Sequence, residues 1–271
     1  MAHPRSAVDV LAGLLADLAA ESAVLDELVT GLPAEDWARA TPAEGWTIAH
    51  QIAHLAWTDD YATLAARDPE GFGTALGDLF GELLAAGDPV EAGAREGAAA
   101  EPAILLARWR AGREQLRAAL ARTPADAKLP WFGPPMKPAS MATARLMETW
   151  AHGQDVADAL GVTPEPTDRL RHIAHLGLRT LGFAFALHRR PAPEQPVRLE
   201  LTAPDGGLWS IGPADAADVV TGPALDFCLL VTQRRHRDDL ALRATGPVAD
   251  AWLPIAQAFA GGPGKGRQPL G

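Results

Sequence analysis

The chain has a single cysteine, Cys228, in 271 residues. That excludes an internal disulfide framework and fits a reducing compartment, so the expected location is the cytoplasm. Basic charge is also scarce: 24 Lys and Arg stand against 34 Asp and Glu, a net charge of −10. A nucleic-acid binder needs a basic face to neutralise phosphates, and this balance argues against one. No uninterrupted apolar run reaches the roughly 18 residues of a membrane span, and no basic-then-apolar leader opens the chain. Internal repeats and low-complexity segments are missing as well. What remains is 48% hydrophobic and 21% charged, the balance of a folded globular protein, and long enough for one large domain or two modest ones.

Helical periodicity dominates the first 161 residues. Val8, Leu11, Leu15, Leu18, Val24, Leu25, Leu28 and Val29 recur at helical spacing and predict a helix over 5–31, closed by Gly31-Leu32-Pro33. Thr47 is a candidate N-cap for a second helix to about Arg67, with Ile48, Ile52 and Leu55 as core positions. A shorter helix, interrupted by glycines, is expected over 72–86. Residues 89–123 read as one long helix with Ile104, Leu105, Trp109, Leu116 and Leu120 on its buried side. Residues 123–140 hold six prolines and glycines and predict an extended loop. Its Trp131, Phe132 and Met136 must pack on something, either as a flap over a bundle end or as the wall of a ligand pocket.

The most informative stretch follows, Met141–Gly161 (MATARLMETWAHGQDVADALG), free of proline and ended by Gly161. On a helix Glu148 and His152 fall about 40° apart and Asp155 about 20° from Glu148, with Arg145 beside them. Four ionisable groups on one stripe read either as a metal or catalytic face or as a solvated face of ordinary ion pairs. His50 and His54 form a second i, i+4 pair. Each reads as a hydrogen-bonded core histidine or a ligand, and the pair lacks the glutamate of an HExxH protease motif. If the helices form an antiparallel four-helix bundle, His54 faces Glu148 and His152 across its interior, with His50 in reserve. Two imidazoles and a carboxylate suit Zn²⁺ with an open coordination position.

Gly45-Trp46-Thr47, His54-Leu55 and Glu148-x-x-x-His152-x-x-Asp155 together resemble the metal-binding helices of the DinB superfamily. More closely, the chain is similar to the mycothiol-dependent maleylpyruvate isomerase family. The resemblance implies a mainly α protein: a DinB-like antiparallel four-helix bundle over 1–163, then a small α+β sterol-carrier-like domain over 164–271. It implies His54, Glu148 and His152 as ligands of one divalent metal, zinc or another, with a low-molecular-weight thiol as cosubstrate and a small electrophile as substrate. The implied activity is S-transfer or isomerisation. Asp155 is expected to steady a ligand or accept a proton, and Trp131, Phe132 and Met136 to wall the thiol pocket. A zinc-dependent hydrolase and a metal-binding module without turnover are the alternatives.

Beyond Gly161 the pattern changes. Residues 169–190 read as a helix carrying His172, His175 and His188, which suit a surface. Residues 196–211 alternate and turn at Asp205-Gly206-Gly207, a hairpin signal. A strand over 218–222 leading into a helix over 223–233, a strand over 240–245 and a helix over 248–259 complete the expected domain. The tail 261–271 is expected to fray. Arg234-Arg235-His236-Arg237 is either a solvated charge run or a clamp for a substrate carboxylate, for which Arg145, Arg234 and Arg235 are the candidates.

Overall fold

A computed structural model describes residues 6–86 and 88–270. The chain divides into two compact units, Met1–Pro164 and Glu165–Gly271. The first contains α1 (Ala7–Val29), α2 (Ile48–Arg67), α3 (Pro69–Ala86), α4 (Pro89–Ala98), α5 (Pro102–Arg122) and α6 (Pro138–Leu160). The expected start of the first helix at residue 5 lies outside the described residues. From Ser6 the start is built by reciprocal capping: the Ser6 hydroxyl accepts from the Asp9 N–H, and the Asp9 carboxylate accepts from the Ser6 N–H. At the other extreme α6 ends where Gly161 turns left-handed at φ 69°, a conformation that glycine adopts without a Cβ penalty.

The four long helices α1, α2, α5 and α6 form the bundle, and α3 and α4 pack along α2. Two apolar layers show how the helices run. One joins Leu25 and Val29 to Ile48, Ile52, Leu105, Trp109 and Val156; the other joins Leu11 and Leu15 to Ala62, Leu116, Leu120 and Met141. Thus α1 and α6 run one way and α2 and α5 the other. Of the main contacts, α1 with α5 and α2 with α6 are antiparallel, and α1 with α6 and α2 with α5 are parallel. Helices α2 and α5 can share a direction because α3 and α4 lie between them in the chain.

Three sequence expectations need correction here. The single helix over 89–123 is two, α4 and α5, broken at 99–101. Pro102 opens α5 at a position where its missing N–H costs nothing, and it disfavours helix in the residue before it. Ile104, expected on the buried side of its helix, is 64% exposed, and Val8 of the first helix is 68% exposed. The glycines of 72–86 do not interrupt α3, which is continuous.

The second unit holds α7 (Leu170–Arg179), α8 (Leu181–Leu187), β1 (Val197–Thr202), β2 (Leu208–Ile211), β3 (Asp218–Pro223), α9 (Ala224–Val231), β4 (Arg243–Thr245) and α10 (Pro247–Trp252). Its sheet has the order β2-β1-β3-β4, with β1 and β3 parallel and both outer pairs antiparallel. Leu199 and Leu201 of β1, Val220 of β3 and Phe227 and Trp252 of the helices are buried together with Ile173. The expected helix over 169–190 divides at Thr180, and the last helix is shorter than expected. The tail is tied down rather than frayed: Gly264 donates to Gln257, Gly266 to Gln233 and Leu270 to Asp239. Gly271 lies outside the described residues. Among the described residues no helix is long and apolar enough to cross a membrane.

Two stability predictions follow from the bundle. A Cβ on Gly97 of α4 would come within 2.8 Å of the Ala53 Cβ on α2. Overpacking of about 1–3 kcal/mol outweighs the helix-propensity gain of up to about 1 kcal/mol, so Gly97→Ala lowers the urea midpoint. Asp26 of α1 accepts from Arg110 and Arg113 of α5, and Thr30 also donates to it. The Arg110 hydrogen bonds, opposed by burial, lower its pKa from 3.8 to about 2. This stabilisation is present above the ordinary value and is lost as pH falls through about 2. Because Arg110 is half exposed, its size is on the order of 1 kcal/mol. Asp26→Asn is therefore less stable than the parent at pH 6, and the gap closes near pH 2.

Candidate metal centre

Helices α2 and α6 meet along a polar seam. As α2 advances, its partner on α6 retreats by nearly the same step, through Gln51 with His152, His54 with Glu148 and Asp59 with Arg145. That progression is the register of an antiparallel pair. Buried polar groups cost several kcal/mol when unpartnered, so the seam is held to this register.

At the seam's centre the His54 Nε2 lies 3.3 Å and the His152 Nε2 3.2 Å from the same oxygen, Glu148 Oε2. One ligand atom from each residue lies within 4.8 Å of the others. The i, i+4 spacing on α6 supplies Glu148 and His152, and α2 supplies His54 from the opposite wall. Burial alone would raise the Glu148 pKa, but the His152 and His54 hydrogen bonds outweigh it and hold the carboxyl well below the usual range. The donor set is an anionic oxygen and two imidazole nitrogens that converge on one point. This fits a divalent cation.

Two further groups set the histidines. His152 Nδ1 lies 2.5 Å from Gln51 Oε1, and the other end of that amide donates to Thr41 Oγ1 at 2.9 Å. Trp46 stacks nearly parallel on the His152 ring, with centroids 5.9 Å apart and planes 17° apart, and it also meets His54 at 5.4 Å. The Trp46 indole N–H donates to Glu91 of α4 at 3.0 Å.

The other candidates are placed as follows. Arg145, Asp155 and His152 are buried, so the ionisable stripe of α6 is not a solvated face. Arg145 donates its Nε to Asp59 Oδ1 at 2.9 Å inside the bundle, so an internal carboxylate occupies the side chain that the sequence offers as an anion contact. Burial raises the Asp59 pKa, and Arg145 opposes that rise. Asp155 is 1% exposed, and Gln51 meets the His152 ring at Nδ1. His50 caps its helix instead of joining the cluster: its Nδ1 accepts from the Thr47 N–H at 3.3 Å, and burial lowers the ring's pKa, which keeps that lone pair available.

Phe132 stacks on Trp57, three residues past His54, at 5.7 Å and 17°. Tyr61, Phe72 and Trp131 surround it, while Trp131 and Met136 pack against the second apolar layer. In the second unit Arg234 donates to the Thr232 carbonyl at 2.5 Å and Arg235 to the Arg234 carbonyl at 2.7 Å. Sequence reasoning missed Gln51, Thr41 and Asp59. A polar residue one turn before His54 was the available signal for Gln51.

Residues 18–157 match the family described as mycothiol maleylpyruvate isomerase N-terminal domain, and residues 193–245 match one described as wyosine base formation. The uncharacterized proteins MT0041 and Rv0036c of Mycobacterium tuberculosis are each 55% identical over 256 residues, covering 93% of this chain and 97% of theirs. Crystal structures of a mycothiol-dependent maleylpyruvate isomerase and of its histidine-to-alanine variant superpose with TM-scores of 0.58 and 0.59. Each is 17% identical to this chain and covers 86% of it and 92% of the other. At that identity the likeness is one of fold.

The Asp59–Arg145 pair makes a separable prediction. Arg145→Met leaves a buried carboxylate without its partner and costs about 3–5 kcal/mol in urea unfolding. Removing both charges, as Asp59→Leu with Arg145→Met, restores most of that loss. A single variant as stable as the parent would show that the pair has no structural role.

Proposed function

The chain belongs to the mycothiol maleylpyruvate isomerase N-terminal domain family, and from this we propose that it is a metal- and thiol-dependent enzyme acting on a small electrophile by isomerisation or S-transfer. The observation that carries the reading is the convergence of His54 Nε2 and His152 Nε2 on Glu148 Oε2. These three residues would hold the ion, with zinc best suited to two imidazoles and a carboxylate. When bound, such an ion supplies a Lewis acid that favours the thiolate form of a coordinating thiol.

The thiol has to come from outside. Cys228 is fully buried, its Sγ faces the Leu170 carbonyl at 3.4 Å, and burial pushes its pKa up. A low-molecular-weight thiol of the mycothiol type fits that requirement. Thiolate addition to a cis-unsaturated keto acid forms a C–S bond and turns the double bond into a single one. Rotation and expulsion of the thiolate then yield the trans isomer, and a substrate with a leaving group instead gives the S-conjugate.

The chain's own side chains supply the rest. Glu148 is anionic and retains 22% side-chain exposure beside two nearly sealed histidines, so the site has an approach from solvent. Trp46 shields the imidazole faces from water. Trp131, Phe132 and Met136 are assigned to the apolar wall that receives the thiol conjugate, supported by the stacking of Phe132 on Trp57 next to His54. Asp155 is assigned as the acid–base group of α6, and Arg234 and Arg235 to recognition of an acidic substrate group.

Purified protein is expected to carry about one zinc per chain, a ratio that His152→Ala and Glu148→Ala both reduce severely by removing a ligand. Conversion of a model electrophile should require metal and thiol together and return when zinc is restored after chelation. Turnover at an equal rate without thiol would favour a hydrolase. Metal binding with no turnover of any electrophile would leave a binding module.

A further inference from the structure

We propose that Gln51, oriented by Thr41, is a positioning residue that locks His152 in the Nδ1–H tautomer and presents its Nε2 lone pair to the metal; the inference rests on the metal site proposed above. The argument begins at the Trp46 carbonyl, which can only accept. The Thr41 hydroxyl lies 2.9 Å from it and must spend its one hydrogen there. Thr41 Oγ1 is then left only as an acceptor, so the group 2.9 Å away on Gln51 has to be the amide NH₂. A flipped amide would set two acceptors against each other. Gln51 Oε1 therefore faces His152, and having no hydrogen of its own it requires one on Nδ1, 2.5 Å away.

That leaves Nε2, 3.2 Å from Glu148 Oε2, as the nitrogen turned toward the metal position. Gln51 is 0% exposed, so water does not compete for the amide. A hydrogen bond of this kind fixes the ring's orientation and raises the basicity of the coordinating nitrogen. His54 offers a contrast. Its Nδ1 is buried and meets no hydrogen-bond partner among the described residues, so no acceptor holds a hydrogen there. The two histidines are therefore unequal: His152 is preset by the protein and His54 is not. The loop responsible is short. Thr41 and Trp46 sit within the turn closed by the Ala40–Thr47 bridge, so one loop both orients His152 and covers its face.

The test uses Gln51→Leu, which removes the acceptor, Gln51→Glu, which keeps it, and Thr41→Val, which frees the amide to flip. Zinc affinity is measured by competition with a chromophoric chelator, and the imidazole tautomer by long-range proton–nitrogen correlation in the metal-free protein. Gln51→Leu is expected to weaken zinc binding about 10–100-fold with unchanged helicity, and to shift His152 away from the Nδ1–H pattern. Gln51→Glu should keep both the tautomer and an affinity within about threefold of the parent, well short of that loss. Thr41→Val should fall between them, and it decides the matter if Gln51→Leu fails to fold. Parental zinc affinity in a folded Gln51→Leu, or in Thr41→Val when that is the deciding variant, overturns the proposal. So does a His152 without a hydrogen on Nδ1 in the metal-free parent. If the parent binds no zinc, the functional reading falls, and the Gln51 assignment is judged by the tautomer spectrum alone.

Discussion

The constraint on which the first unit depends is the need to partner every polar group buried between α2 and α6. Gln51, His54 and Asp59 leave α2 into a space with little water, and each is met by His152, Glu148 or Arg145. Sliding one helix by a residue would turn all three pairs apart at once, at several kcal/mol for each stranded group. Apolar packing tolerates such slips far better than hydrogen bonds do. The two apolar layers hold the helices together, and the seam decides where along each other they rest.

The same seam divides its chemistry in two. The Asp59–Arg145 pair is sealed, with side chains 6% and 2% exposed, and its charges neutralise one another. One turn away, Glu148 has no such cation beside it and keeps part of its surface open. A full positive partner makes the first pair structural. Two imidazoles, which can give up a proton where a guanidinium cannot, leave the second carboxylate able to share a metal ion. Arg145 is buried and spends its Nε on Asp59.

The loop before α2 links fold to site. Thr41 and Trp46 are held by the short bridge across 40–47, and Trp46 is anchored on its far side by Glu91. Helix α4, which carries Glu91, lies close to α2 because Gly97 lets the two backbones approach. A packing detail of the bundle's outer helices thus bears on the environment of the histidines.

Much of this was legible from local pattern. Helical periodicity, the Pro and Gly punctuation and the i, i+4 spacing of Glu148 and His152 marked out the bundle and one half of the site. These depend on residues within a turn or two of each other, where the geometry of an α-helix is known in advance. The break before Pro102 carried a local signal that the Ala-rich periodicity on either side outweighed. The seam carried no such signal. Gln51 and His152 are 101 positions apart and Asp59 and Arg145 are 86 apart, so no local rule relates them. Sequence by itself determined which side chains could share a helical face. Only the tertiary structure decided that Gln51 meets His152 and that Arg145 pairs with Asp59 inside the bundle, because those choices belong to the register of two helices and not to either one.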